Sequence, residues 1–259
     1  MGCMKRSIKH IRWGWAGLAT ALVVVCACRA EDGDPWYRYS EDYYNNHNNY
    51  ANLGNHDSSV GNLAVATVRS REGVRFVRLD GISSSQVINP NEIADIPDGT
   101  RVFLQYRYVV VSSVASFCSD AILVEWASPL DEGQHSFVSF EESYTADSFA
   151  ATDPVDIIPD WITSLEDDFL TLHYTITSGD KKHAFLLYRS MMEPAGFYLV
   201  HHADGDTGKT PKEGMVCFRL SLENLFPDLQ EGETPTLTLH YLNFDRIEKT
   251  LTFEYRSPK

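Results

Sequence analysis

Two histidines and two aspartates fall within six residues at His201-His202-Ala203-Asp204-Gly205-Asp206. Imidazole nitrogens and carboxylate oxygens are the side chains that hold zinc, with three protein ligands or more around the ion. His202 and Asp204, joined by His183 or His173 from neighbouring strands, would make such a set. Calcium is a poorer fit, because its loops need further oxygen ligands at fixed offsets and a bidentate Glu. The elements that carry these residues decide between ligand and turn. Gly196–His202 (GFYLVHH) reads as a strand, so His201 and His202 point to opposite faces. Gly205 and Gly208 then mark a turn, and aspartates suit turns because their carboxylates bond nearby backbone N–H groups. The turn reading is favoured: no metal, with His183, His202 and Asp204 as the candidates should one bind.

Other chemistry-bearing residues are weaker. Glu141-Glu142 and Glu166-Asp167-Asp168 offer paired carboxylates, but glycoside hydrolysis needs two carboxyls at a set separation across a cleft. Acids clustered on a strand edge or loop are more often solvated. Trp161, after Pro159-Asp160, is either a sugar platform or, the favoured reading, core packing under the first strand of its domain. No P-loop, GxSxG, HExxH or GxGxxG pattern occurs. No catalytic residue and no cofactor is expected.

The N-terminus addresses location. Lys5, Arg6, Lys9 and Arg12 precede an apolar run from Trp13 to Ala27. That run is shorter than the roughly 20 residues of a membrane-spanning helix. A charged start, a short apolar middle and small residues at the end describe an export signal. It closes on Val25-Cys26-Ala27-Cys28, which resembles a bacterial lipobox with Cys28 as the acylated residue. Several acyl chains hold a protein on a membrane far better than one. The acidic stretch after Cys28, through Glu31, Asp32 and Asp34, resembles export signals of surface lipoproteins in one Gram-negative phylum. Residues 28–60 are rich in Asn, Asp, Ser, Tyr and Gly without apolar period, as in a flexible tether. Tyr37, Tyr39, Tyr43, Tyr44 and Tyr50 within it are either linker residues or adhesive contacts.

Removing the four basic residues before Cys28 from the chain's 22 leaves 18 against 36 acidic ones, a mature charge near −18. Such a chain repels phosphates and carries no basic aromatic patch, so nucleic-acid binding is disfavoured. The expected partners are the membrane, through the lipid anchor, and an unidentified protein or glycan. Cys118 and Cys217 are expected to be separate buried thiols, and no CxxC is present.

Strand signals dominate the rest. Asn62–Arg69 and Val74–Asp80 read as a hairpin, Arg101–Ser112 as a long central strand, and Ala121–Ala127 and Gln134–Phe140 as further strands of the same small barrel. Ser143–Pro159 reads as an interdomain loop, where the two domains should separate and proteases should cut. A second β run follows: Phe169–Thr177, Lys182–Arg189, Gly196–His202, Met215–Leu222, Thr236–Asn243 and Lys249–Tyr255, spaced as in a β-sandwich.

These residues resemble the NigD-like lipoproteins. The first domain resembles them through NLAVATV, FVRLDG and PDGTRVFLQYRYV. The second does so through Asp160-Trp161, DDFLTLHYTI, Lys182-His183, HHADGD and EGMVCFRLSL. The resemblance implies an N-terminal OB-like barrel and a C-terminal β-sandwich behind a lipid anchor. It also implies a link to a bacteriocin-associated gene cluster in which an immunity role was proposed, and it supplies no catalytic residues. The expected organisation is an all-β chain with signal peptide 1–27, acylated tether 28–60, OB-like barrel 61–145 and β-sandwich 155–259. The expected role is a non-enzymatic binding or protective module on the outer membrane, with surface exposure open. A glycan-binding accessory lipoprotein is the alternative, and a metal-dependent or glycoside hydrolase the least favoured.

Overall fold

The computed structural model describes residues 61–255 apart from 82–83, 180, 194, 207, 221–224 and 227–233. The expected signal peptide, the expected acylation site Cys28 and the expected tether lie outside the described residues. The chain opens with β1 (Asn62–Arg71) and β2 (Val74–Leu79), joined at Glu72-Gly73. Both turn residues have positive φ, 54° and 79°, the backbone a two-residue hairpin turn requires. β3 (Ser84–Val87), β4 (Arg101–Val109) and β5 (Asp120–Pro129) complete a closed five-stranded barrel in the order β1-β2-β3-β5-β4. β3 runs parallel to β5 and the other pairs are antiparallel. This is an OB-like barrel. Alternate residues fill it: Ala64, Ala66 and Val68 from β1, Val102, Leu104 and Tyr106 from β4, Ile122 and Val124 from β5. A 3-10 turn at Pro90–Ile93 adds Ile93, and Ile96 follows.

The sandwich follows at once. Its strands are β6 (Asp131–Glu132), β7 (Gln134–Ser139), β8 (Asp156–Ile157), β9 (Ser164–Glu166), β10 (Phe169–Ser178), β11 (Ala184–Arg189), β12 (Gly196–His202), β13 (Thr210–Arg219), β14 (Thr236–Leu242) and β15 (Glu248–Glu254). One sheet runs β6-β13-β10-β8, with β9 also on β10, and the facing sheet runs β15-β14-β12-β11-β7. Leu170, Leu172, Val216 and Phe218 of the first pack against Leu187, Phe197, Leu199, Leu237 and Leu239 of the second. Two short helices, α1 (Phe140–Ser143) and α2 (Ala146–Ala150), cover the outer face of the second sheet, where Phe140 and Phe149 bury Tyr188, Val200 and Leu242. Ser139 and Glu142 form a reciprocal capping box that starts α1.

This topology moves the expected boundary. Gln134–Phe140, read as a barrel strand, holds β7 of the sandwich, paired in parallel with β11, and at Phe140 the first residue of α1. Two-residue alternation shows that a segment is a strand but not which sheet receives it. The handover is at Leu130, between β5 and β6, and Gly133 then carries the chain from one sheet of the sandwich to the other, its N–H donating to the Cys217 carbonyl at 2.8 Å. A Cβ there would stand 2.3 Å from the Phe218 ring, so only glycine lets the chain cross. Likewise Ser143–Pro159 is no open linker. It carries α2 and β8, and Val155 is core. Cys118 and Cys217 are buried free thiols, and burial pushes the Cys217 thiol up to about 12.

The two domains are bonded together through Arg101. Its side chain leaves the outer face of the barrel and is only 2 % exposed. The guanidinium bonds the Asp80 carboxylate, donates from Nε to Thr171 Oγ1 of the sandwich at 3.1 Å, and from Nη1 to Thr67 Oγ1 at 3.2 Å. Asp80 also accepts from Ser164 Oγ at 2.9 Å. Around this centre, Asp167 takes Arg69 and Arg78, each at 2.9 Å, and Arg219 donates to the Gly99 carbonyl at 2.8 Å.

Candidate functional site

The HHADGD segment ends β12 and turns toward β13. Along β12, Phe197, Leu199 and His201 face the sandwich core, whereas Tyr198 and His202 face the helical side. His201 is 2 % exposed and stacks on Phe185 of β11, its register partner, at 4.8 Å. His202 lies away from it, with Nε2 3.3 Å from the Tyr144 hydroxyl.

His201 has a different histidine partner. Its Nε2 is 2.8 Å from Nδ1 of His183, which immediately precedes β11. On its other side, Nδ1 is 3.1 Å from the Pro154 carbonyl. A carbonyl can only accept, so His201 Nδ1 carries the proton and Nε2 is bare. His183 Nδ1 must then donate to it. His183 Nε2 in turn faces Asp206 Oδ2 at 3.3 Å. The chain of bonds from Pro154 to Asp206 is complete when both His183 nitrogens bear protons. The side chains of His183 and Asp206 are 3 % and 6 % exposed. Burial, then the neighbouring His183, lowers His201 to about 4, so it is neutral at pH 7.

Asp206 is held well below the ordinary carboxylate range, first by the Gly208 N–H at 2.8 Å and next, against burial, by the Gly179 N–H at 2.7 Å. Lys181 N–H adds a bond at 3.3 Å. One carboxylate thus ties the β10–β11 connection to the β12–β13 connection. Gly208 must be glycine, since a Cβ would come within 1.8 Å of the Gly179 nitrogen. Asp204 serves the turn through its backbone. Asp204 and Gly205 have φ of 50° and 68°, Asp206 N–H closes the turn on the Ala203 carbonyl, and the Asp204 carbonyl accepts from Lys181 Nζ at 2.8 Å.

The candidate ligands are therefore not brought together: His183 meets His201 and Asp206, while His202 meets Tyr144. Among the described residues no group of three or more His, Cys, Asp or Glu could hold a metal ion. His173, the other histidine considered, donates from Nδ1 to Asp160 Oδ2 at 2.7 Å. The acid clusters are also engaged. Glu166 accepts from Gly81 N–H, Asp167 takes its two arginines, Glu141 accepts from Ser190 Oγ and Met191 N–H, and Glu142 closes the capping box.

Trp161 is not core, contrary to the favoured expectation. It is half-buried, with its ring 6.0 Å from Phe103 on the outer face of the barrel. Phe103 in turn meets Trp126 edge-on at 5.5 Å, and Trp126 Nε1 donates to Gln105 Oε1 at 2.7 Å. A half-buried aromatic group thus spans β4, β5 and the sandwich loop at Asp160-Trp161. Phe103 and Trp126 were hidden in strand runs of the sequence; only the pairing of β4 with β5 brings them together.

The sequence profile of the NigD-like C-terminal beta sandwich domain matches residues 136–255. No curated protein matches the chain. Among solved structures, a Parabacteroides distasonis protein described as toxin-related is 20 % identical with a TM-score of 0.58, over 76 % of this chain and 93 % of that one. A NigD-like immunity protein from Bacteroides caccae is 17 % identical with a TM-score of 0.51, over 75 % and 96 %. A Bacteroides fragilis protein described as a lipoprotein is 11 % identical with a TM-score of 0.54, over 77 % and 100 %. At these identities the likeness is one of fold, and it spans both domains. The barrel is followed by a sandwich, and over residues 136–255 that sandwich matches the NigD-like C-terminal beta sandwich domain.

Proposed function

We propose that this protein is a cell-envelope lipoprotein, anchored to the outer membrane through Cys28, and a non-enzymatic binding or protective module of immunity type. One observation carries the reading. The residues with the most chemical potential, His183, His201 and Asp206, are sealed in the sandwich and spend their bonds on holding two loops together. Their bonds to the backbone of two loops support a role in holding the fold. The fold likeness to a NigD-like immunity protein and to a protein described as a lipoprotein supports the same class. No helix among the described residues is long and apolar enough to cross a membrane. The fold alone does not choose a function, since one fold serves many.

The test has two arms. Cys28→Ser should leave the protein soluble or unprocessed, and labelled palmitate entering the variant as well as the natural chain would remove the anchor. Deletion in the host should raise sensitivity to a bacteriocin, and unchanged sensitivity across a bacteriocin panel would remove the protective role. A second reading, a glycan-binding accessory lipoprotein, is favoured by the aromatics and polar groups that share one face of the barrel.

A further inference from the structure

The outer face of β4 changes character along its length. Arg101 is sealed in the domain seam. Phe103 is half-buried against Trp161. Gln105 bonds Trp126, and Arg107 pairs with Glu125 at 2.7 Å in a partly exposed position. The β4–β5 register shifts between Gln105 and Tyr106. That bulge adds a residue to β5, so Trp126 and Glu125 both reach this face. Gly61 confirms it: a Cβ there would lie 2.6 Å from both Gln105 Nε2 and Glu125 Oε2. Bulges re-aim side chains and are over-represented beside binding sites.

The sandwich supplies a wall. Trp161 sits on a loop braced from three sides. Asp160 Oδ1 accepts from Ile162 N–H at 3.0 Å and Thr163 N–H at 3.3 Å, Asp160 Oδ2 meets His173 Nδ1, and Thr163 Oγ1 donates to the Ile158 carbonyl at 2.6 Å. A large ring held this firmly loses little freedom on meeting a ligand. It stands at the rim of the seam and is absent from the sandwich core.

We propose that Phe103, Trp126 and Trp161, with Gln105 and the Arg107–Glu125 pair, form a binding site for a neutral glycan. The inference rests on the reading of the protein as a binding module. Flat ring faces suit the apolar face of a sugar, and a few fixed polar groups at their edge suit its hydroxyls. The amide of Gln105, the guanidinium of Arg107 and the carboxylate of Glu125 supply donors and acceptors of both kinds. A mature charge near −18 disfavours acidic polysaccharides and phosphate polymers, which leaves neutral sugars as the class.

The probes are amylopectin, xyloglucan and galactomannan, with polygalacturonate as the acidic control. The full mature chain in detergent is run through native gels containing each polymer, and its tryptophan fluorescence is titrated with the same polymers. At least one neutral polymer should retard the protein. Trp161→Leu and Trp126→Leu should each weaken binding at least tenfold, and Gln105→Leu should weaken it less, all with unchanged circular dichroism. Should Trp126→Leu not fold, Trp161→Leu decides, because its loop is braced through Asp160 and Thr163 rather than through the ring. Retardation by none of the three polymers, retardation that survives Trp161→Leu, or equal binding to polygalacturonate overturns the proposal. If Trp161→Leu abolishes bacteriocin protection in cells while no polymer binds, the face serves a protein: the glycan assignment falls and the module reading stands.

Discussion

Arg101 is the residue whose loss should be felt most widely. It is 2 % exposed, and its guanidinium joins Asp80 and Thr67 of the barrel to Thr171 of the sandwich. Arg101→Met keeps much of the stem but strands Asp80 in a buried setting, where Ser164 Oγ still donates to it. Breaking one side of a buried ion pair costs about 3–5 kcal/mol. Burial already pushes the Asp80 carboxyl above its ordinary range against the pull of Arg101, so a proton can replace the lost charge and the low end of that range applies. For a chain of this size each kcal/mol moves the melting temperature about 2–4 °C, so Arg101→Met should lower it by roughly 6–12 °C. Asp80→Leu alone should also destabilise, by leaving the arginine uncompensated. The double variant should recover on the order of 2 kcal/mol relative to the sum of the singles, because neither charge is then left alone.

The assay is urea unfolding of the four proteins, followed by far-ultraviolet circular dichroism and by tryptophan fluorescence. Trp126 reports on the barrel side and Trp161 on the sandwich side of one aromatic group. In the natural protein both probes should move together. In Arg101→Met they should separate, as each domain keeps its own core while the seam fails. A loss below about 1 kcal/mol, additive singles and coincident probes throughout would refute the claim that this arginine couples the domains.

Three further outcomes follow from the sandwich site. His201 is lowered from 6.5 to about 4, so as pH falls below 6.5 the unfolded chain takes up its proton first; stability should fall between pH 6.5 and 4 by about 3 kcal/mol, and His201→Phe should flatten that slope in melts across the range. Gly208→Ala drives a Cβ into the Gly179 backbone and should prevent folding or give a large drop in melting temperature, whereas Gly73→Ala, with open space and a φ of 79°, should cost only about 1–2 kcal/mol. A chelator should leave the melting temperature unchanged, since a bound metal would add stability by mass action; stoichiometric zinc lost in His202→Ala would reopen the metal reading.

What could be read from the sequence depended on how local its cause was. The long strands and their turns announce themselves through alternation and through Glu72-Gly73 or Asp204-Gly205. The opposed directions of His201 and His202 follow from the same alternation. β3 was missed because Ser84-Ser85-Gln86-Val87 is short and mostly polar, though Ser85 and Val87 point inward. The helices α1 and α2 are too short for a helical period, yet Ser139 and Glu142 carried a readable capping signature. The His183–His201 contact was out of reach. It needs the β11–β12 register, which pairs Phe185 with His201 and leaves His183 two residues beyond, and it needs Pro154 and Asp206 to fix the protons. Arg101 was equally hidden, because a charged residue in a strand reads as solvent-facing until a second domain covers it.

That hidden arginine also bears on where ligand chemistry can sit. An OB-like barrel has one continuous outer surface, and here the sandwich takes part of it. The outward positions of β4 record the division: Arg101 beneath the sandwich, Phe103 at its rim, Gln105 and Arg107 beyond it. Phe103 at this rim is half-buried, with one side against Trp161 of the second domain. Phe103 and Trp161 hold each other from opposite domains, so neither needs to turn to meet a ligand. The bonds that fix the domains thus also fix the two sides of the corner. A seam that came loose would cost the site its geometry before it cost either domain its core, which is why the domain clamp and the aromatic face belong to one argument about function.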